Sequence, residues 1–203
     1  MITKRIWALA LVLLLPAMVT AADETATTRA GARESSVPSI DINEIIARVA
    51  KKTGKQFIVD PRVRADVPLV GLDVERVDYA RLLAILYVHQ FAAYQSEGAV
   101  IVVPDVNGRQ VPIPVTTGIA ANTPDYELVT LIVPAKNVCA AQLVPVLRPM
   151  MPQAAHMAAV IQTNSLIIID RAANARRIID VVERIDKQAA ANKQTCGEAK
   201  PAT

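Results

Sequence analysis

Glycine is scarce. The chain of 203 residues holds seven, at Gly31, Gly54, Gly71, Gly98, Gly108, Gly118 and Gly197, and no two are closer than ten positions. A G-x-G-x-x-G fingerprint, a phosphate-cradling P-loop and a GXXG backbone clamp each need two glycines within six residues, so none can be written here. Histidine and cysteine are rarer still: His89, His156, Cys139 and Cys196 are all there are. Their separations match no zinc-ligand pattern. Neither histidine has a Cys, Asp or Ser near it in a nucleophile–base arrangement, so catalysis, metal and cofactor are not expected. Aromatic residues make up only 3% and charged residues 20%. The 52% hydrophobic fraction excludes a wholly disordered chain, and the length suits one larger domain or two small ones.

The amino terminus has the form of an export signal. Lys4 and Arg5 precede an apolar run from Ile6 to Leu15, and Val19 and Ala21 are small residues at the −3 and −1 positions of a cleavage site. The pattern predicts a secretory signal peptide over residues 1–21; the alternative is an uncleaved anchor, for which the apolar run is short. Neither Ala22 nor Asp23 is the cysteine that a lipoprotein needs. Removing residues 1–21 removes Lys4, Arg5 and the sole tryptophan, Trp7, and leaves 20 basic residues against 19 acidic ones. The whole-chain charge of +3 is therefore mostly an export feature and gives no support to a polyanionic partner. A periplasmic location, with no membrane insertion after cleavage, is the expectation.

Residues 22–36 are small and polar and are expected to form a flexible arm. From Val37 the pattern predicts β-α-β-β-α-β-β through residue 103. A short strand at Ser39–Asp41 precedes a helix capped by Asp41 and Glu44 in a capping box, with Ile42, Ile45, Ile46 and Val49 on one face and Gly54 at the C-cap. Gln56–Val59 and Val67–Val74 read as strands. Asp78 caps an apolar helix, and Glu97-Gly98 turns a hairpin that ends at Val103. Prolines 104, 112, 114 and 124 mark residues 104–124 as a partly extended linker.

A second unit, residues 125–188, reads as β-α-β-β-α: a strand from Tyr126 to Val133, a helix capped by Asn137 and interrupted by Pro145 and Pro149, a hairpin turning at Thr163-Asn164, and an amphipathic helix capped by Asp170. Ala175, Ile178, Ile179, Val182 and Ile185 form its apolar stripe. A three-stranded sheet under two helices, then a flexible tail over 189–203, completes an α+β chain of two small domains.

These blocks resemble a known family. Ser39-Ile40-Asp41-Ile42-Asn43-Glu44-Ile45-Ile46, Lys55 to Val63 and Gly98 to Val103 are similar to the short N-terminal domain of the type II secretion secretin, the outer-membrane gate protein. Val133 to Val138, Gln142 to Pro149, Asn164 to Asn174 and Glu183 to Asp186 are similar, over a longer stretch, to the KH-like ring domain that follows it. By this resemblance, no counterpart of the family's further ring repeats or of its barrel-forming domain is expected in the residues that follow Asp186.

The resemblance implies protein contacts: the first domain docks on inner-membrane secretion proteins, and the second packs into a ring with copies of itself or a full-length secretin, along the path of secreted substrates. In the first domain, Val67, Leu69, Gly71 and Asp73 mark either an open strand edge for docking or an inner paired strand. In the second, Arg176, Arg177, Asp180, Glu183 and Arg184 form either a charged seam against a neighbour or a solvated helix face. Cys139 and Cys196 are either bridged, as an oxidising compartment allows, or independent. RNA binding is not expected despite the KH-like order, because no glycine lies between Gly118 and Gly197. The other reading is a periplasmic signalling or adaptor module like the short domain of TonB-dependent transducers; the second block favours the secretin.

Overall fold

The computed structural model describes residues 37–191. The expected signal peptide, the arm, Cys196 and the tail beyond residue 191 lie outside the described residues.

Strand β1 (Ser39–Asp41) runs directly into helix α1 (Ile42–Thr53). Asp41 is extended, and its carboxylate accepts the Asn43 N–H at 2.6 Å. Glu44 does not reach back as a capping box requires; it binds Arg48 one turn on, at 2.6 Å, and Arg48 also meets Glu75. At the far end Gly54 takes φ 70°, a left-handed value that costs a glycine nothing, and returns its N–H to Ala50. Ile42, Ile45, Ile46 and Val49 are buried. Each contributes about 1.5–3 kcal/mol relative to an exposed side chain.

Strands β2 (Gln56–Val59) and β3 (Asp66–Pro68), helix α2 (Tyr79–Val88), and strands β4 (Phe91–Ser96) and β5 (Ala99–Pro104) follow. β5 is central: β2 pairs with it in parallel and β4 antiparallel, giving the order β2-β5-β4. Glu97 and Gly98 both have positive φ, 49° and 81°, as the tight hairpin turn between β4 and β5 demands. β1 and β3 form a separate antiparallel pair. The extended stretch expected over Val67–Val74 is shorter than its composition suggested. Pairing ends at Pro68, and a 3-10 turn at Val74–Arg76, capped by Asp73, takes over. α2 buries Leu82, Leu83 and Leu86 against α1, while Val88 at its end is exposed.

The proline-rich connection is not a free linker. Asp105–Gln110 forms a 3-10 turn, and Gly108 within it sits so close that an added Cβ would meet Leu128 at 3.4 Å and Ala92 at 3.6 Å. Farther on, strand β6 (Val115–Thr116) pairs in parallel with β7 (Leu128–Pro134). The second sheet is consequently four-stranded, β6-β7-β9-β8, with β8 (His156–Val160) and β9 (Ser165–Arg171), instead of the three strands expected.

Helix α3 (Ala140–Leu147) begins after Cys139, two residues later than an Asn137 cap would place it. Asn137 is held elsewhere: its N–H and side-chain amide both donate to Asp186. Helix α4 (Ala172–Ala191) starts after β9, so Asp170 is a strand residue and not a cap. Its carboxylate is buried and accepts from the Arg171 N–H at 2.7 Å and the Asn174 amide at 2.5 Å. α4 runs to Ala191, with Ala189 buried, so helix extends into the segment read as tail from residue 189. Ala175, Ile178 and Val182 are buried as the stripe requires, with Ile179 and Ile185 packed at its margin.

Candidate docking surfaces

Three kinds of surface stand out: strand edges, the charged face of α4, and the junction between the two sheets. The outer side of β2 has no strand partner among the described residues, and Ile58 on it is 58% exposed. In the β1–β3 pair, Val67 is only 4% exposed and faces Ile40 across the ladder. Its side chain belongs to the core, so only its backbone faces the open edge of β3. Leu69 is half-buried and ties its N–H to Pro38 at 2.8 Å. Gly71 and Asp73 are exposed. Gly71 has φ 64°, and Asp73 both caps the 3-10 turn and pairs with Arg76 at 3.1 Å. Of the four residues, only Val67 lies on the strand itself.

The α4 face divides in two. Arg176 reaches Asp125 at 2.9 Å and the carbonyls of Thr123 and Ala120, fastening the connection to the helix. Arg177 donates to the Met150 carbonyl at 2.6 Å. Both arginines are therefore engaged within the chain. Asp180 and Arg184 form an exposed pair at 2.9 Å, and Glu183 is exposed beside them. The loop before α3 is held from two sides. Asp186 Oδ1 accepts the N–H groups of Lys136, Asn137 and Val138 at 2.7–3.0 Å. Burial pushes the Asp186 carboxyl up, but these hydrogen bonds outweigh it and hold the group below its ordinary range. Cys139, in the same loop, is disulfide-bonded; Cys196 lies outside the described residues.

The junction was not visible in the sequence. Arg171, at the end of β9, donates to Asp105 Oδ1 at 2.5 Å, and its guanidinium lies 4.5 Å from the centroid of the Tyr87 ring. Tyr87 of α2 meets Tyr126 with ring centroids 5.1 Å apart. Tyr79 of α2 donates to Glu127 Oε1 at 3.5 Å, and Lys55 sits over the Tyr79 ring. Beside this contact a cleft of about 830 Å³ opens, lined among others by Arg62, His89, Arg109 and Gln153. No group of three or more His, Cys, Asp or Glu among the described residues could hold a metal ion. No described helix is long and apolar enough to cross a membrane.

Two family models match the chain. Residues 36–103 match the GspD-like, N0 domain, and residues 130–191 match the bacterial type II/III secretion system short domain. The chain belongs to the type II secretin family. Secretin XcpQ of Pseudomonas aeruginosa is 33% identical over 151 residues, which are 73% of this chain and 22% of the relative. Secretin PulD of Klebsiella pneumoniae is 33% identical over 158 residues, 75% of this chain and 24% of the relative. The chain thus spans less than a quarter of the curated secretins it matches. Among solved structures, PulD in the Klebsiella pneumoniae type II secretion system outer membrane complex with PulS and the PulC HR domain is similar, with a TM-score of 0.62 at 31% identity. That match covers 75% of this chain and 26% of the other. The α+β class holds. The first secretin domain contributes the β1–β3 edge and most of the aromatic side of the junction; the second contributes Arg171, Glu127 and the α4 face.

Proposed function

We propose that the chain is a non-enzymatic periplasmic docking module of a type II secretion system. Its first domain, residues 37–103, contacts inner-membrane components of the machine. Its second, residues 125–188, packs against copies of itself or of a full-length secretin. The observation that carries this reading is the succession of an N0 domain and a secretin short domain in one chain. The PulC HR domain in the PulD complex supports a partner of that kind for the first domain. Open strand edges supply the physical means, since unpaired backbone groups accept an added strand with little reorganisation. The docking surface is the outer backbone of β3 with Leu69, Gly71 and Asp73, and the ring-contact surface is the exposed Asp180, Glu183 and Arg184 part of α4. Cys139 is disulfide-bonded, and the proposed partner is Cys196, the chain's one other cysteine, as an oxidising compartment allows.

Site-specific photo-crosslinking in cells carrying a type II system tests the reading. A photoreactive residue at Leu69 is expected to trap an inner-membrane secretion protein, and one at Glu183 a second copy or a secretin. An exported, folded chain that traps neither overturns it.

A further inference from the structure

All four tyrosines of the chain, Tyr79, Tyr87, Tyr94 and Tyr126, stand at or beside the junction between the two domains. A carboxylate is enclosed with them. Glu127 stands one residue ahead of β7 and faces α2 and β4 of the first domain. Its Oε1 accepts from the Tyr79 hydroxyl, and its Oε2 is buried with no hydrogen-bond partner among the described residues. It also lines a cavity of about 390 Å³ with Tyr94 and Gln95 of β4 and the connecting segment around Gly118.

We infer that Glu127 is a proton-linked lock on the domain junction, which closes most firmly when this carboxyl is protonated and loosens as it ionises.

The surrounding groups favour this. From α2 it meets Tyr79, whose hydroxyl is driven up by burial and by Glu127 itself, so it stays a neutral donor. Ahead of β2, Lys55 is the one cation among the described residues acting on it, and that ammonium is shared with the Tyr79 ring. β4 offers Gln95 and Tyr94 at the cavity. The connecting segment contributes Thr116 and Thr123 at the cavity. Of the nearby ions, Asp125 is held by Arg176 and Arg171 by Asp105. Burial pushes the Glu127 carboxyl up, and the Tyr79, Lys55 and Gln95 contacts only partly counter it. A carboxyl that holds its proton more tightly when the junction is closed adds stability that is fully present below the ordinary glutamate range. That stability is lost as pH rises toward the raised value. The inference concerns the chain alone and stands whether or not a docking partner is found.

The test is the NMR spectrum of the exported chain with ¹³C-labelled tyrosine rings, followed from about pH 4.5 to about pH 7.5, a window spanning the ordinary carboxylate range and above. Wild type is expected to shift the Tyr87 and Tyr126 resonances together with those of Tyr79. Their common midpoint should lie above the ordinary glutamate value. Glu127→Gln, which keeps the neutral shape, is expected to hold the low-pH positions throughout. Tyr79→Phe removes a donor that favours the ion and is expected to move the midpoint higher, which keeps the test valid if the Gln variant folds poorly. Overturning results are Tyr87 and Tyr126 signals flat with pH in wild type, or a midpoint that persists in Glu127→Gln or moves down in Tyr79→Phe.

Discussion

The Arg171 guanidinium donates to Asp105 Oδ1 at 2.5 Å, with the two side chains only 6% and 14% exposed, and it stacks on the Tyr87 ring at 4.5 Å. One residue of the last strand thereby holds the start of the connecting segment and a helix of the first domain together. Removing one partner of an ion pair this enclosed leaves the other charge without compensation, at a cost of about 3–5 kcal/mol. Arg171→Ala is expected to lower stability by that order in urea unfolding. Arg171→Lys, which keeps the charge but loses the flat stacking surface, should recover only part of the loss.

Asn164 carries the turn between β8 and β9. It has φ 46°, donates to the Ala135 and Val138 carbonyls at 2.7 and 3.0 Å, and accepts the Ala140 N–H at 2.8 Å. Asn164→Gly keeps the left-handed backbone and loses the side-chain bonds; Asn164→Ala loses both. The expected order of stability is wild type, then Gly, then Ala, with a loss of about 2–4 kcal/mol for Ala, since each of these partly buried bonds contributes ~1 kcal/mol and strands its partner when removed. Denaturant midpoints compared at equal slope check this.

Asp186 should give an acid limb to the stability curve. Its carboxyl is held below its ordinary range by the amides of Asn137, Val138 and Lys136, so its contribution is complete above the ordinary aspartate value and is lost as pH falls through the lowered one. Asp186→Asn is expected to flatten this part of the profile in thermal unfolding below about pH 4. A variant whose profile parallels wild type there would show that the loop before α3 does not depend on this ion.

Charge reversal on α4 separates folding from assembly. The Asp180–Arg184 pair is exposed, and pairs of that kind add little to stability. Arg184→Glu is expected to leave the thermal midpoint unchanged and to weaken self-association, read by analytical ultracentrifugation. Unaltered association would remove this part of the helix from the ring contact.

Denatured, unreduced protein is expected to take up no maleimide, and to take up two per chain after reduction, because Cys139 is disulfide-bonded and the chain has one other cysteine. Labelling before reduction would rule the Cys139–Cys196 bridge out.

The sequence by itself determined whatever depends on near neighbours. Ile42, Ile45, Ile46 and Val49 repeat at helical spacing, Gly54 follows where a left-handed residue must end that helix, and Glu97-Gly98 can only turn a hairpin. The succession of elements and the family resemblance follow from such local signals. Caps were less legible, because several residue types compete for each. Asn137 has good capping chemistry, yet Asp186, forty-nine positions away, claims both its N–H and its side chain. Asp170 likewise has the chemistry of a cap, but it completes the ladder of β9 opposite Val129 and is buried there. Val67 reads as a strand residue either way; only its packing against the Ile42 and Leu82 core decided that its side chain is unavailable to a partner. The junction is the clearest product of tertiary structure. Nothing local relates Asp105 to Arg171, or Tyr79 to Glu127, since they are sixty-six and forty-eight positions apart. The connection folds back through β6 and the tight seat of Gly108, and that return path brings two separately encoded domains into contact around an ion pair and a buried carboxyl.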